Sequence, residues 1–338
     1  MHIYEDHGIV IQDQERILVD PHRKRVDADR IFVSHAHSDH VHIGAKNPST
    51  YYMTPLTHGL VEKKIPKAAY AEKMHFNSHV HGKEHKISFV NSGHILGSAQ
   101  IVVEGEKKVC VTTDMKLQDS IIMPGAEIVP CDVLVIESTF GKKEYKFPER
   151  EDVYAQVGKW LKHAQQQNFL PILQGYATGK AQELTKIVNE YSSAIPFVHK
   201  NIYEKNAIAR AHGHHIGKFE LIDHNLKDAE VLILPPNLCD YETLHAISVS
   251  AKKSVVTGIA TGWPSPSNGH ETHFQLSDHA DYDQLMNYVG KAEPKQVFTD
   301  HGFARELAIA IQKEFKIPAR PIEEAKQYVL AQYERVTP

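Results

Sequence analysis

The run His35-Ala36-His37-Ser38-Asp39-His40 follows directly on the apolar segment Ile31-Phe32-Val33 and offers four metal-binding side chains in six residues. Imidazole nitrogen and carboxylate oxygen suit zinc and similar divalent ions. If the run stays extended, His35, His37 and Asp39 share one face by the period-two rule, and His40 is free to serve a second ion. The pattern is a dinuclear metal site in outline, aimed by the end of a strand.

Further ligand types recur at the ends of apolar segments. Asn91-Ser92-Gly93-His94-Ile95-Leu96-Gly97-Ser98 sets His94 in a Gly-flanked turn, where backbone can approach a metal closely. Val109-Cys110-Val111-Thr112-Thr113-Asp114 ends a buried strand on a carboxylate. With His35, His37 and His94, Asp114 completes a first ion's shell and can bridge to a second. Asp39, His40 and Asp114 leave the second ion one ligand short. Phe298-Thr299-Asp300-His301-Gly302 and Leu276-Ser277-Asp278-His279-Ala280-Asp281 both offer a histidine, and spacing alone leaves that choice open.

The elements that must position these groups change character along the 338 residues. Short apolar runs alternating with turns predict strands at Ile9–Ile11, Ile17–Asp20, Ile31–Val33, Ile87–Val90, Ile101–Val103, Val109–Thr112 and Cys131–Glu137. From about residue 142 the texture becomes βαβ: helices over Glu151–Gln167 and Lys180–Tyr191, and strands at Pro171–Gln174, Pro196–His199, Val231–Leu234 and Ser254–Thr257. After Gly269 acid and histidine motifs return, followed by a helix over Ala304–Phe315 and a polar tail.

Composition narrows the class. Hydrophobic residues at 41% and charged residues at 24% are ordinary for a globular chain with a sizeable core. No apolar run approaches the ~20 residues of a membrane span, and the N-terminus lacks signal-peptide character, so a cytoplasmic protein is expected. Cys110, Cys131 and Cys239 never form a C-x-x-C pair and read as reduced thiols. A net charge of -4 excludes a generally basic nucleic-acid-coating protein, so any phosphate tracking must be local.

H-x-H-x-D-H at a strand end resembles the signature of the metallo-β-lactamase fold, an α/β protein whose four-layer αββα sandwich holds a metal pair at one sheet edge. That signature alone does not choose the reaction. Glu137 in Ile136-Glu137-Ser138-Thr139-Phe140-Gly141, the segment Gln174-Gly175-Tyr176-Ala177-Thr178-Gly179-Lys180-Ala181-Gln182-Glu183-Leu184, His279 and His301 resemble in order the marks of the β-CASP nucleases, which carry an inserted cap. The likeness spans nearly the whole chain. It is strongest to the short ligase-associated exonuclease, mRNA 3′-end-processing-factor-like branch, at Val19-Asp20-Pro21, Gly93–Gln100 and Leu276–Asp281.

The resemblance implies a metallo-β-lactamase domain of residues 1–141 and 271–338, a β-CASP cap of residues 142–270, and an active site in the cleft between them. By that likeness Asp20 orients the metal site, Asp39 belongs to the catalytic set, His301 completes the second ion's ligands, and His279 is the general acid positioned by Glu137. Two divalent ions, zinc or manganese, would activate water and neutralise charge at phosphorus, while a histidine near neutral pKa protonates the leaving oxygen. The expected substrate is single-stranded nucleic acid, DNA ahead of RNA. Histidine at the position of His301 goes with RNA-directed members, whereas the nearest branch resembles a DNA-repair exonuclease acting beside a ligase or helicase. A thioesterase or lactonase would use the same ligands but leaves Glu137, His279 and the cap without a role.

Lys142, Lys143, Lys146 and Arg150 follow Glu137 and could carry phosphates, although a charge run is usually a solvated face. Lys180, opening a helix after Thr178-Gly179, is a second phosphate candidate, and Trp263 a base-stacking one. His75, His79, His81 and His85, and likewise His212, His214 and His215, lie in polar segments and read as solvated loops.

Overall fold

The computed structural model describes residues 1–45, 47–223, 226–264 and 271–324. The expected cap boundary at residue 270 and part of the polar tail lie outside them. The chain divides into two compact units: Met1–Leu117 with Gly125–Lys146 and the chain from His279 onward, and Gln118–Pro124 with Phe147–Asp278.

Among the described residues the first unit holds a six-stranded and a seven-stranded sheet. The six-stranded sheet runs in the order His2–Glu5, Ile9–Gln12, Arg16–Val19, Arg30–Phe32, Thr50–Met53, Ala71–Lys73. The other runs Ala319–Pro321, Gln296–Asp300, Val133–Glu137, Lys108–Val111, Ala99–Glu104, Lys86–Asn91, His79–His81.

Side-chain alternation builds the layers. Ile9, Ile11, Ile17, Val19 and Phe32 point to the same core as Ile101, Val103, Val109, Val111 and Val135, which glues sheet to sheet. Their neighbours point the other way. Val10, Leu18, Ile31 and Met53 pack outward with Val61 of the helix Pro55–Val61. Val102, Cys110, Leu134 and Ile136 pack on the helices Tyr282–Ala292 and Ala304–Phe315. The result is the αββα sandwich, and burial on both faces is why these strands read as unbroken apolar runs. The strands Lys108–Val111, Val133–Glu137 and Gln296–Asp300 run parallel, so their carboxyl ends, where Asp114, Glu137 and His301 sit, open on one edge.

The second unit has one all-parallel sheet, Glu220–Leu221, Phe197–Val198, Leu232–Leu234, Leu170–Gln174, Val255–Thr261, Glu271–Gln275. Helices Arg150–Gln166 and Lys180–Tyr191 pack on it through Val153, Val157, Leu161, Leu184 and Val188. The helices Lys200–Ala211, Tyr241–Ala251 and Tyr282–Ala292 and several two- to four-residue strands add to the elements expected from sequence. No helix among the described residues is long and apolar enough to cross a membrane.

Candidate metal centre

The histidine run is not extended. After Phe32 the chain leaves the sheet and turns, His40 N donating to His37 O (3.3 Å). The period-two expectation therefore fails: His35 and His37 converge, while Asp39 stands at the rim with its side chain 79% exposed, 3.6 Å from His40 Nε2. His35 Nε2 and His94 Nε2 each lie about a hydrogen-bond length from His37 Nδ1, at 3.0 and 3.1 Å.

Asp114 sits at the centre of the group. Its Oδ2 lies 3.6 Å from His35 Nε2, 3.5 Å from His94 Nε2, 3.5 Å from His40 Nε2 and 4.0 Å from His279 Nε2. Its Oδ1, 3.4 Å from His301 Nε2, is buried with no hydrogen-bond partner. Imidazole nitrogens crowded about a buried carboxylate oxygen that lacks a donor are the donor set a divalent cation satisfies. Two overlapping groups have this geometry: His35, His37, His94 and Asp114, and Asp20, His35 and His40. A third joins Asp114, Glu137 and His279.

Asp20 holds the ligands from behind. Its Oδ1 accepts from Ser34 N (2.7 Å), and its Oδ2 accepts from Ser34 Oγ (2.6 Å) and faces His40 Nδ1 (2.8 Å). Ser34 Oγ in turn meets His35 Nδ1 at 2.8 Å. One carboxylate thus orients two histidines, the outer-shell arrangement that fixes ring and tautomer. Ser34 has no sequence signal beyond its place before His35.

The electrostatics sort the histidines. Burial, reinforced by His40 and His94, holds His35 well below the ordinary histidine range, in the neutral form a ligand needs. Burial opposes charge on His40, yet Asp114 and Asp20 outweigh it and raise it to about 10. His301 is likewise pushed to about 9, burial being overcome by its bond to Asp300 and by Asp114. For Asp114, burial favours protonation, but His40, His279 and His94 together hold it well below the usual carboxylate range.

Glu137 is buried and fully engaged. Its Oε1 accepts from Met115 N (2.7 Å) and its Oε2 from Thr139 N (3.3 Å), while both oxygens face His279 Nδ1 at 3.2 and 3.1 Å. His279 Nε2 is thereby presented toward Asp114. Ala280 N donates to Met115 O (2.7 Å), and Asp281 caps the helix Tyr282–Ala292 through Gln284 N (2.9 Å), so the chain on the C-terminal side of His279 is pinned. Thr139 Oγ1 lies between His279 Nδ1 (3.3 Å) and His301 Nε2 (3.2 Å), a contact that sequence reading missed.

Most of the basic candidates stand elsewhere. Arg150 is 3% exposed and spent on Glu183 and Ser277 O, and Lys180, 2% exposed, is held by Asp278 (2.7 Å) and Glu183 (3.4 Å). Both expectations of a phosphate contact are corrected: these cations are buried structural partners. Lys146 pairs with Asp283 (2.7 Å), and Lys142 pairs with Glu306 (3.3 Å) and lies over Phe303. Lys143 lies over Tyr282 and shares its groove with Glu144, Glu306 and Glu314. Trp263 is half exposed, its carbonyl accepting from His273.

Nor are the set-aside histidines all solvated loops. His79 and His81 sit on a strand, ring centroids 4.8 Å apart, and His85 is buried between Asp13 (2.8 Å) and Glu15 (3.2 Å). The three cysteines are free thiols.

Comparison with known proteins agrees with this geometry. Residues 270–320 match the family described as a Zn-dependent metallo-hydrolase RNA specificity domain. A protein named "Probable DNA ligase" from Opitutus terrae is 28% identical over 302 residues, covering 84% of this chain and 28% of that one. An "RNase J-like protein" of Methanocaldococcus jannaschii is 24% identical, covering 87% of this chain and 86% of its own length. These likenesses support the metallo-β-lactamase β-CASP nuclease family.

The chain spans 28% of the ligase-named relative and 56% of a second relative, "Probable RNase MJ4" of Methanocaldococcus jannaschii. A solved protein of unknown function from Enterococcus faecalis V583 shares the fold, with TM-score 0.57 over 88% of this chain and 92% of that one at 11% identity. Histidines and carboxylates placed as they are here could hold a metal ion.

Proposed function

We propose that the protein is a metal-dependent phosphodiesterase acting on nucleic acid, an exonuclease on single-stranded DNA in repair. The observation that carries this reading is the Glu137–His279 pair at 3.1 Å beside the histidine–aspartate cluster. A metal centre alone serves many hydrolases. A buried carboxylate holding an imidazole with its far nitrogen toward the cluster is a device for delivering a proton. Scission of a phosphodiester expels an alkoxide that needs one, and such catalysis is worth about 10²- to 10⁴-fold.

His35, His37, His94 and Asp114 would hold one ion, and Asp39, His40, Asp114 and His301 a second, zinc by preference with manganese able to substitute. Bound there, the ions would activate water and neutralise charge developing at phosphorus. Asp20 would keep His40 and, through Ser34, His35 in register. A thioesterase or lactonase reading leaves His279 and Glu137 unused.

The printed name of the ligase-named relative, matched along 84% of this chain, supports DNA; the same reading would set a ligase or helicase in the same pathway. RNA is the second reading, favoured by His301 and by the RNA-specificity description of the family matched at 270–320. Incubating metal-loaded protein with end-labelled single-stranded DNA and RNA of one sequence decides between them. Release of labelled products from DNA alone supports the first reading, from RNA alone the second, and from neither, with a thioester or lactone hydrolysed, overturns both.

A further inference from the structure

The loop that leaves Asp20 carries four consecutive basic-type residues, His22-Arg23-Lys24-Arg25, all exposed. Their side chains make no hydrogen bond, ion pair or ring contact among the described residues. Elsewhere on this unit surface cations are commonly neutralised: Lys142 by Glu306, Lys146 by Asp283, Lys295 by Asp132, Arg16 by Asp6. The neighbouring acids do not serve the loop. Asp29 accepts from Arg16 N (2.7 Å), and exposed Asp27 makes no ion pair with it. In a chain of net charge -4, three adjacent unpaired cations repel one another and are left for an external anion.

The run follows directly on a residue of the metal centre. Asp20, in the left-handed region at φ 49°, turns the chain out of the sheet while its carboxylate holds His40. Three residues on, Arg23 has its Cα within roughly 10 Å of that of Asp20, the reach of an extended chain. On the far side the loop is braced against the segment after His40. The Lys24 carbonyl presses on Gly44 so closely that an added Cβ would lie 1.9 Å from it. The loop is thus flanked by Asp20, which holds His40, and by Gly44, four residues beyond His40.

We propose that Arg23, Lys24 and Arg25 form the phosphate-binding track that leads single-stranded nucleic acid to the metal centre. The proposal rests on the nucleic-acid reading above, and it moves the track from Lys142–Arg150, whose charges are largely spent, to the loop after Asp20. A strand carries one phosphate per nucleotide, so one with its scissile phosphate at the cluster presents neighbouring phosphates within the arginines' reach. Arginine forks suit phosphate oxygens bidentately.

The test is equilibrium binding of a cleavage-resistant phosphorothioate single strand to metal-loaded, full-length protein across a salt series. Each phosphate contact contributes about 0.7 to the slope of log K against log salt for a single strand. R23Q/K24Q/R25Q is expected to lower the slope by about 2, and R23Q/R25Q, which leaves the position against Gly44 untouched, by about 1.4. The charge-conserving R23K/K24R/R25K should keep it, and K142Q/K143Q should not move it. Melting temperature and metal content equal to wild type confirm that the glutamine variants are folded. A wild-type slope retained by both glutamine variants overturns the track while leaving the nucleic-acid reading in place. A wild-type protein that neither binds nor cleaves single strands overturns the reading itself, and the track with it.

Discussion

Replacing His279 by Ala isolates the proton-delivery step from the metal centre. The side chain touches Glu137 on one side and approaches Asp114 only to 4.0 Å on the other, whereas His35, His40, His94 and His301 come within 3.4 to 3.6 Å of that carboxylate. Removing it should therefore leave the ions' ligands in place. Activity on nucleic acid should fall by about 10² to 10⁴, or roughly 3 to 5 kcal/mol of transition-state stabilisation. A nitrophenyl phosphodiester expels a stabilised phenolate and needs less protonation, so its hydrolysis should drop much less. The assay is kcat/KM for both substrates at one pH, with bound metal determined in the same preparation. Equal losses on the two substrates would sink the acid assignment, and loss of metal would show that His279 is a ligand instead.

Asp114→Ala should strip more metal than Asp39→Ala, because Asp114 is buried among the histidines while Asp39 sits exposed at the rim; equal losses by elemental analysis would remove the bridging role. His279 is poised by two opposed effects, burial lowering its pKa and Glu137 with Asp114 raising it, with a net rise. A raised pKa keeps the acid form to higher pH, so activity on nucleic acid should fall on the alkaline side, and Glu137→Gln should move that fall to lower pH in a pH–kcat profile. An unmoved profile would separate the two residues. Arg150→Met should cost about 3 to 5 kcal/mol in denaturant unfolding, because Glu183 would be left buried without its main cation. A loss under about 1 kcal/mol, the level of an exposed pair, would return Arg150 to the surface.

Much of the centre was legible because ligand types end unbroken apolar runs, which read as strands buried on both faces. What stayed hidden has physical causes. Asp20, Thr113 and His301 all take positive φ, at 49°, 52° and 39°. Such backbone is uncommon without glycine, and for β-branched Thr113 it is an outlier, so it is held by its surroundings rather than by local preference. These three kinks aim Asp20 at His40, Asp114 at the histidines and His301 at Asp114, and none has a local mark. The helix Tyr241–Ala251 was missed because it buries only Ala251 and so lacks the amphipathic stripe.

Charge was the least legible property, and the reason bears on function. Lys142 to Arg150 follow Glu137 in sequence, but neutralisation is decided in space. Arg150 meets Glu183 from 33 positions away, and Lys180 meets Asp278 from 98. A buried cation so paired contributes nothing to the field a substrate meets, whereas an exposed unpaired one contributes all of its charge. The run at 22–25 looks weaker on paper, being shorter and followed by Asp27 and Asp29, yet its side chains are the ones left open. A nucleic-acid track in an acidic protein is better sought among unpaired cations at the metal centre's edge than among the densest lysines in the sequence.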